Sequence, residues 1–239
     1  MLKATDIKLN YGRHQVLDGV SLHVTPGTCC GILGVNGCGK STLLKILAGV
    51  LPPTGGCITY NNEDALHSPA VFLNYTGYVP QDNPLMEELS VLDNLRLWYA
   101  DSRLNLQAET DNGVLHMLSL HKVLKQRVST LSGGMKKRLS IGIALANRPA
   151  VLILDEPTAA LDIPCKDEIH SYLRLYMRNG GAIIIATHEE PDLDLCDHLN
   201  ILRNGTLHSV PSSTRGVELS RLLTPALQND NTISEKKEG

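Results

Sequence analysis

Eight consecutive residues, Gly34-Val35-Asn36-Gly37-Cys38-Gly39-Lys40-Ser41, constrain what this chain can fold into more than any other stretch. They fill every defined position of the pattern G-x-x-x-x-G-K-[ST]. A buried-strand pattern, Cys29 to Leu33, precedes them, and a helical pattern from about Ser41 to Ala48 follows. Glycines carry no Cβ, so the backbone N–H groups of such a loop can converge on a run of phosphates, and the helix adds the positive end of its dipole. Lys40 supplies a cation for β- and γ-phosphates, and the Ser41 hydroxyl is a hard oxygen suited to Mg²⁺. Strand, loop and helix in this order make the first unit of an α/β domain. Cys38 lies between two glycines of the loop. Its thiol is therefore expected beside bound phosphates, in surroundings that favour thiolate.

The flanking sequence fills out such a domain. Ile7 and Leu9, then Leu17, Val20, Leu22 and Val24, alternate with polar residues and read as short antiparallel strands. From about Ser90 to Ala146 the apolar spacing becomes helical, through Val91, Leu92, Leu95 and Trp98 and then Val114, Leu115, Leu118 and Leu120. This segment is expected to be a helical lobe inserted in the α/β core. Strand patterns resume at Val151–Leu154 and Ala182–Ala186, with a helix around Lys166–Met177 between them. Asn204-Gly205, set between apolar runs, signals a hairpin turn. Residues 1–227 thus read as one domain with the lobe at about 90–146, and the polar residues 228–239 as a loose tail.

Three further segments carry chemistry. The apolar strand Val151–Leu154 ends in Asp155 and Glu156, one carboxylate placed for Mg²⁺ and the next for polarising a water. Ser132-Gly133-Gly134 opens a helix and offers N–H groups and a hydroxyl to a second anion. One ATP does not need two such sites in one chain, so this one is expected to serve a neighbour's nucleotide. His188 follows the strand Ala182–Ala186, within reach of a γ-phosphate.

Composition removes several classes. With 22 basic and 25 acidic side chains, the chain has no broad basic face for nucleic acid, and no nucleic-acid partner is expected. No run of 18 apolar residues exists, and the first residues lack the apolar core of a secretory signal. The six cysteines form no Cys-x-x-Cys pair, so reduced thiols are expected rather than a zinc site or a disulfide framework.

Taken in order, these segments resemble the ATP-binding cassette ATPases, the nucleotide-binding subunits of ABC transporters, over roughly Leu2 to Val210. The resemblance implies a P-loop NTPase fold with a RecA-like core, an N-terminal antiparallel β subdomain and an inserted helical lobe. It implies ATP and Mg²⁺ as ligands. Tyr11 would stack on adenine, and Gly34, Asn36, Gly37, Cys38, Gly39, Lys40, Ser41 and Thr42 would surround the nucleotide. Ser41, Gln81 (in Tyr78-Val79-Pro80-Gln81) and Asp155 would hold the metal. Glu156, His188, Lys40 and Gln81 would carry the hydrolysis.

The family pattern also implies a head-to-tail dimer with a second ATP-binding subunit, identical or different. Ser132, Gly133 and Gly134 of one subunit would then face the other's ATP, with Ala160-Leu161-Asp162 as the dimer-contact loop. A separate membrane permease would hold the pair at the cytoplasmic face of the membrane. One departure stands out: the signature segment ends in Met135, where Gln is usual. The string from Leu131 to Ser140 is similar to ATPases that pair with ABC-2-type permeases, often exporters. With only a short stretch after the hairpin, the regulatory domain of sugar-importer ATPases is not expected. The alternative is a soluble ABC ATPase such as that of iron–sulfur cluster assembly.

Overall fold

The computed structural model describes residues 1–102 and 104–224, and the tail expected at 228–239 lies outside the described residues. The chain opens with β1 (Leu2–Tyr11) and β2 (His14–Val24), paired antiparallel and longer than the short strands expected. The alternation slips between Leu17 and Val20 for a definite reason. Ile7 pairs with Val20 while Lys8 pairs with Asp18, so Gly19 is an extra residue, at a φ of 81°, and Leu17 and Val20 both face inward.

β3 (Cys29–Leu33) runs through the glycine loop into α1 (Lys40–Leu47). β4 (Gly55–Tyr60) then pairs with the other edge of β1, and β5 (Glu63–Asp64) pairs with β4. α2 (Ala70–Tyr75) leads directly into β6 (Thr76–Val79). The helical lobe follows as α3 (Val91–Tyr99), α4 (Leu106–Asp111), α5 (Val114–Met117) and α6 (Gly133–Ala144). The chain re-enters the sheet at β7 (Val151–Asp155), parallel to and beside β6. α7 (Ile163–Arg178), β8 (Ala182–Ala186) and α8 (Glu190–Leu193) come next. β9 (His198–Arg203) and β10 (Thr206–Val210) form the expected hairpin at Asn204-Gly205, and α9 (Gly216–Leu223) ends the described chain.

Two sheets result, a four-stranded one in the order β2-β1-β4-β5 and a six-stranded one in the order β10-β9-β3-β8-β7-β6. The five strands from β9 to β6 run parallel, and β10 closes one edge antiparallel. Every residue of β3, β7 and β8 is buried, as a parallel strand covered on both faces must be. Alternate side chains serve two cores. Cys29, Leu152, Leu154 and Ile185 pack towards Leu139 of α6 and Leu173 of α7. Cys30, Ile32, Ile153 and Ile184 pack towards α1 and the antiparallel sheet, which contributes Ile7, Leu22 and Ile58. Leu43, Leu44, Ile46 and Leu47 of α1 are fully buried there, each stabilising by roughly 1.5–3 kcal/mol. That packing fixes α1, and with it the position of Lys40 and Ser41 in its first turn.

The lobe differs in one face from the spacing read above. α3 buries Val91, Asn94, Leu95 and Tyr99, while Trp98 points outward at 55% exposure. Asn94 replaces it inside because its amide is satisfied: Nδ2 donates to the Met86 and Ser90 carbonyls and Oδ1 accepts from Met86 N–H, each at 3.0 Å. α7 begins three residues earlier than expected because the Asp162 carboxylate accepts from Cys165 N–H and caps it, with Pro164 in the first turn.

Candidate functional site

Four neighbouring strands, β3, β8, β7 and β6, end side by side, and each delivers a candidate residue at its carboxyl end, where open α/β sheets bind ligands. β3 delivers Lys40 and Ser41 through the loop, β8 delivers His188, β7 delivers Asp155 and Glu156, and β6 delivers Gln81 two residues on. All six line one cavity of about 650 Å³, together with Tyr11, Asn36, Gly37, Gly39 and Thr42. His14, Val16 and Ala159 also line it, which no motif indicated. Tyr11 stands at the mouth, 55% exposed, at the end of β1.

The loop geometry depends on Gly39, which precedes α1 at a φ of 107° and lies so near β2 that an added Cβ would be 2.9 Å from Val16 Cγ1. Lys40 is buried, and its ammonium donates to the carbonyls of Gly34 at 2.7 Å and Val35 at 3.4 Å. It also lies 3.0 Å from His188 Nε2. An ammonium can only donate, so His188 Nε2 is the acceptor of a neutral imidazole. Burial, and then the Lys40 cation, push the His188 pKa below its ordinary value, which keeps the ring neutral.

Glu156 is driven the other way. Burial raises its pKa, and Asp155 and Asp192 add to the rise, against the Lys40 cation and the His188 backbone N–H. A carboxylate with raised proton affinity, 3.6 Å from His188 Nε2 through Oε1, is suited to accept a proton. Its backbone occupies the left-handed region at a φ of 48°, which costs a non-glycine residue energy and must be held by its surroundings. Asp155 is almost fully buried, and its Oδ2 has no hydrogen-bond partner among the described residues. A buried carboxylate oxygen left so is rare and calls for a cation. With the Ser41 hydroxyl and the Gln81 amide lining the same cavity, the donors are hard oxygens, and they fit Mg²⁺.

Two loop residues sit differently from expectation. The Cys38 side chain turns over Gly34, whose added Cβ would be 2.5 Å from Cys38 Sγ and 2.7 Å from Leu202 O. Gly34 and Cys38 line a groove behind the loop with Ile201–Gly205, and the Lys40 cavity is lined without either. The thiol therefore does not face the phosphate cavity.

The signature segment forms a second cavity of about 330 Å³, lined by Ser132, Gly133, Gly134, Met135 and Arg138 of α6 and by Ala160, Leu161, Asp162 and Cys165. Ser132 caps α6, its Oγ accepting from Met135 N–H at 3.3 Å, so its own O–H remains free to donate. Gly133 has open space in front of it. No residue lines both cavities.

The family model described as ABC transporter matches residues 17–159. The chain belongs to the ABC transporter family, as an ATP-binding cassette. Nod factor export ATP-binding protein I of Paraburkholderia xenovorans is 37% identical over 203 residues, covering 83% of this chain and 66% of the relative. Linearmycin resistance ATP-binding protein LnrL of Bacillus subtilis is 31% identical over 218 residues, covering 90% of this chain and 70% of the relative. The chain thus spans about two-thirds of the length of such curated relatives. A solved ATP-binding subunit of an ABC transporter superposes with a TM-score of 0.81 at 27% identity, covering 93% of this chain and 97% of that one. The dimeric cassette MJ0796, solved in a post-hydrolysis state bound to ADP and Pi, superposes with a TM-score of 0.80 at 25% identity, covering 90% of this chain and all of that one. The α/β P-loop fold with its antiparallel subdomain and helical lobe is the fold of these cassettes.

Within the cassette one further residue ties α6, whose first turn lines the signature cavity, to Gln81 of the nucleotide cavity. Lys137 of α6 is buried, and its ammonium donates to the carbonyls of Pro80 and Gln81, each at 3.1 Å. Burial lowers its pKa, while Asp155, Asp82 and Glu156 favour its charge. The sequence carries no signal for it, since one lysine among Lys136, Lys137 and Arg138 reads as a solvated face. Lys137→Met leaves both carbonyls without their donor. The expected loss of about 1–3 kcal/mol corresponds to a fall of roughly 2–12 °C in Tm for a chain this size. Calorimetry on the purified variant checks this, and an unchanged Tm would mean that water replaces the lysine without cost.

Proposed function

We propose that this cassette binds and hydrolyses Mg-ATP and that a second ATP-binding subunit, packed head-to-tail, completes each site. The observation that carries the reading is the single cavity in which Lys40, Ser41, Gln81, Asp155, Glu156 and His188 meet from four adjacent strand ends. Phosphate oxygens entering it would take Lys40 from the Gly34 and Val35 carbonyls, and the loop N–H groups would close around them. Ser41, Gln81 and Asp155 would hold Mg²⁺, which when bound neutralises charge on the phosphates. Glu156 would take the proton of the attacking water, and neutral His188, its Nε2 released from Lys40, would turn to the γ-phosphate. Tyr11 would stack on the adenine from the mouth.

The separate Ser132 cavity supports the shared-site reading, since it lies apart from the Lys40 cavity of its own chain. By likeness to export and resistance proteins we extend the proposal to an ABC-2-type exporter whose membrane permease is another chain. No described helix is long and apolar enough to cross a membrane. In this reading the cassette would sit against the permease's cytoplasmic face.

Complementation between dead subunits tests the shared site. Ser132→Arg subunits and Lys40→Ala subunits, each inactive alone, are mixed in equal amounts with Mg-ATP. A mixed dimer carries both lesions in one site and neither in the other, so phosphate release should return. Mixed dimers recovered by size exclusion that still release no phosphate would argue against sites working as independent shared pairs.

A further inference from the structure

Behind the two catalytic candidates lies a buried carboxylate that none of the motifs include. Asp192 of α8 is fully buried, and three side chains from three other elements converge on it. Thr158 Oγ1, in the loop after β7, lies 2.8 Å from both carboxylate oxygens. Thr187 Oγ1, one residue past β8, donates to Oδ2 at 2.6 Å. His170 Nε2 of α7 lies 2.6 Å from Oδ1. A carboxylate can only accept here, so His170 carries its proton on Nε2 and both hydroxyls point at Asp192. Thr158 and Thr187 are fully buried and His170 nearly so, which makes every one of these donors costly to orphan.

The position of the donors gives the network a consequence. Thr158 stands two residues after Glu156, and Thr187 immediately before His188. The two segments are tied again by Glu156 N–H donating to Ala186 O at 2.9 Å. Thr187 Oγ1 also accepts from Glu189 N–H at 3.0 Å, and Glu189 pairs with Lys166 of α7 at 2.6 Å. The loop that Thr158 anchors holds two non-glycine residues in the left-handed region, Glu156 at 48° and Ala160 at 57°. Such backbone persists only where side-chain anchors over-determine it. Ala160 lines the signature cavity and Ala159 the nucleotide cavity, so this loop runs from one site to the other.

We propose that Asp192 is a positioning residue for hydrolysis, which holds the Glu156 loop and the His188 strand end in one register. It lines neither the nucleotide cavity nor the signature cavity and acts through its donors. Asp192→Asn keeps the shape but turns an NH₂ towards hydrogen-bond donors, which breaks part of the network. Thr187→Val removes one donor at nearly constant volume, and Thr187→Ser restores it. This inference rests on the ATPase reading, so the experiment has one arm that needs no turnover.

In that arm, amide exchange is followed by mass spectrometry on nucleotide-free protein. Asp192→Asn and Thr187→Val should speed exchange together in the segments around 156–162 and 187–190, with β3 and α1 unchanged. In the second arm, kcat is normalised to ATP-binding sites. It should fall on the order of tenfold to a hundredfold, as expected for sub-ångström to ångström misplacement. KM for ATP should stay within about twofold, and Thr187→Ser should recover the wild-type kcat. Where Asp192→Asn does not fold, the Thr187→Val and Thr187→Ser pair decides alone. Exchange that rises in only one of the two segments, or a normalised kcat equal to wild type, overturns the proposal. A wild-type chain that binds no ATP would instead sink the functional reading, with the exchange arm still deciding whether Asp192 couples the two segments.

Discussion

Glu156→Gln is expected to bind ATP as wild type does and to lose turnover by roughly 10²–10⁴-fold. The amide matches the carboxyl in size and keeps the backbone that now holds a φ of 48°, so the fold has no reason to change. What is lost is proton affinity. Glu156 is the group in this cavity whose pKa is raised, by burial first and by Asp155 and Asp192 next, and an amide has no proton to accept. Neutralisation also removes one of the like charges beside Asp155, so nucleotide binding should hold or tighten. Because hydrolysis is what would open a nucleotide-closed pair, the variant should accumulate as a dimer with ATP and remain monomeric without it. Size exclusion with and without Mg-ATP, alongside a phosphate-release assay, reads both effects. A variant that still releases phosphate near the wild-type rate would remove Glu156 as base, and would shift attention to His188.

The α/β core was readable because three of its strands are short, apolar but for the terminal Asp155, and bounded by motifs: Cys29–Leu33, Val151–Asp155 and Ala182–Ala186 are buried throughout. The region from residue 50 to 89 was not. β4 buries only Ile58 and Tyr60, β5 has two residues, and α2 has six, so none spans enough residues to display a period. Of the cavity lining, the glycine loop and the two carboxylates announce themselves by spacing, whereas His14 and Val16 arrive only through the packing of β2 beside the loop, and Ala159 through the path of the loop after β7. Cys38 marks another limit of sequence reading. A linear motif gives the path of the backbone but not the side of the loop on which each side chain falls, and this thiol falls behind, over Gly34. Asp192 had no signal at all, since an acidic residue among Glu189, Glu190 and Asp194 looks like solvated surface until its three donors are seen.

Lys40→Ala should be the most damaging single change to binding. The ammonium is the cation already inside the cavity, held at 2.7 Å from the Gly34 carbonyl and 3.0 Å from His188 Nε2. A charge-assisted contact to phosphate is worth about 1.5–3 kcal/mol, so ATP affinity should fall roughly ten- to a hundredfold. Turnover should then vanish for a second reason. Lys40 lowers the pKa of Glu156 and opposes the effect of burial, so its removal leaves the carboxyl raised further and less often ionised. The same loss frees His188: the cation that depressed its pKa is gone, and the imidazole should titrate closer to its ordinary value. Both shifts have the same sign, upward, and any residual activity should therefore recover as pH rises. Calorimetric ATP titration, phosphate release against pH and histidine NMR on the same preparation measure the three effects separately. If affinity fell while the His188 titration stayed where it was, Lys40 would bind phosphate without the contact to His188 that links the loop to the end of β8.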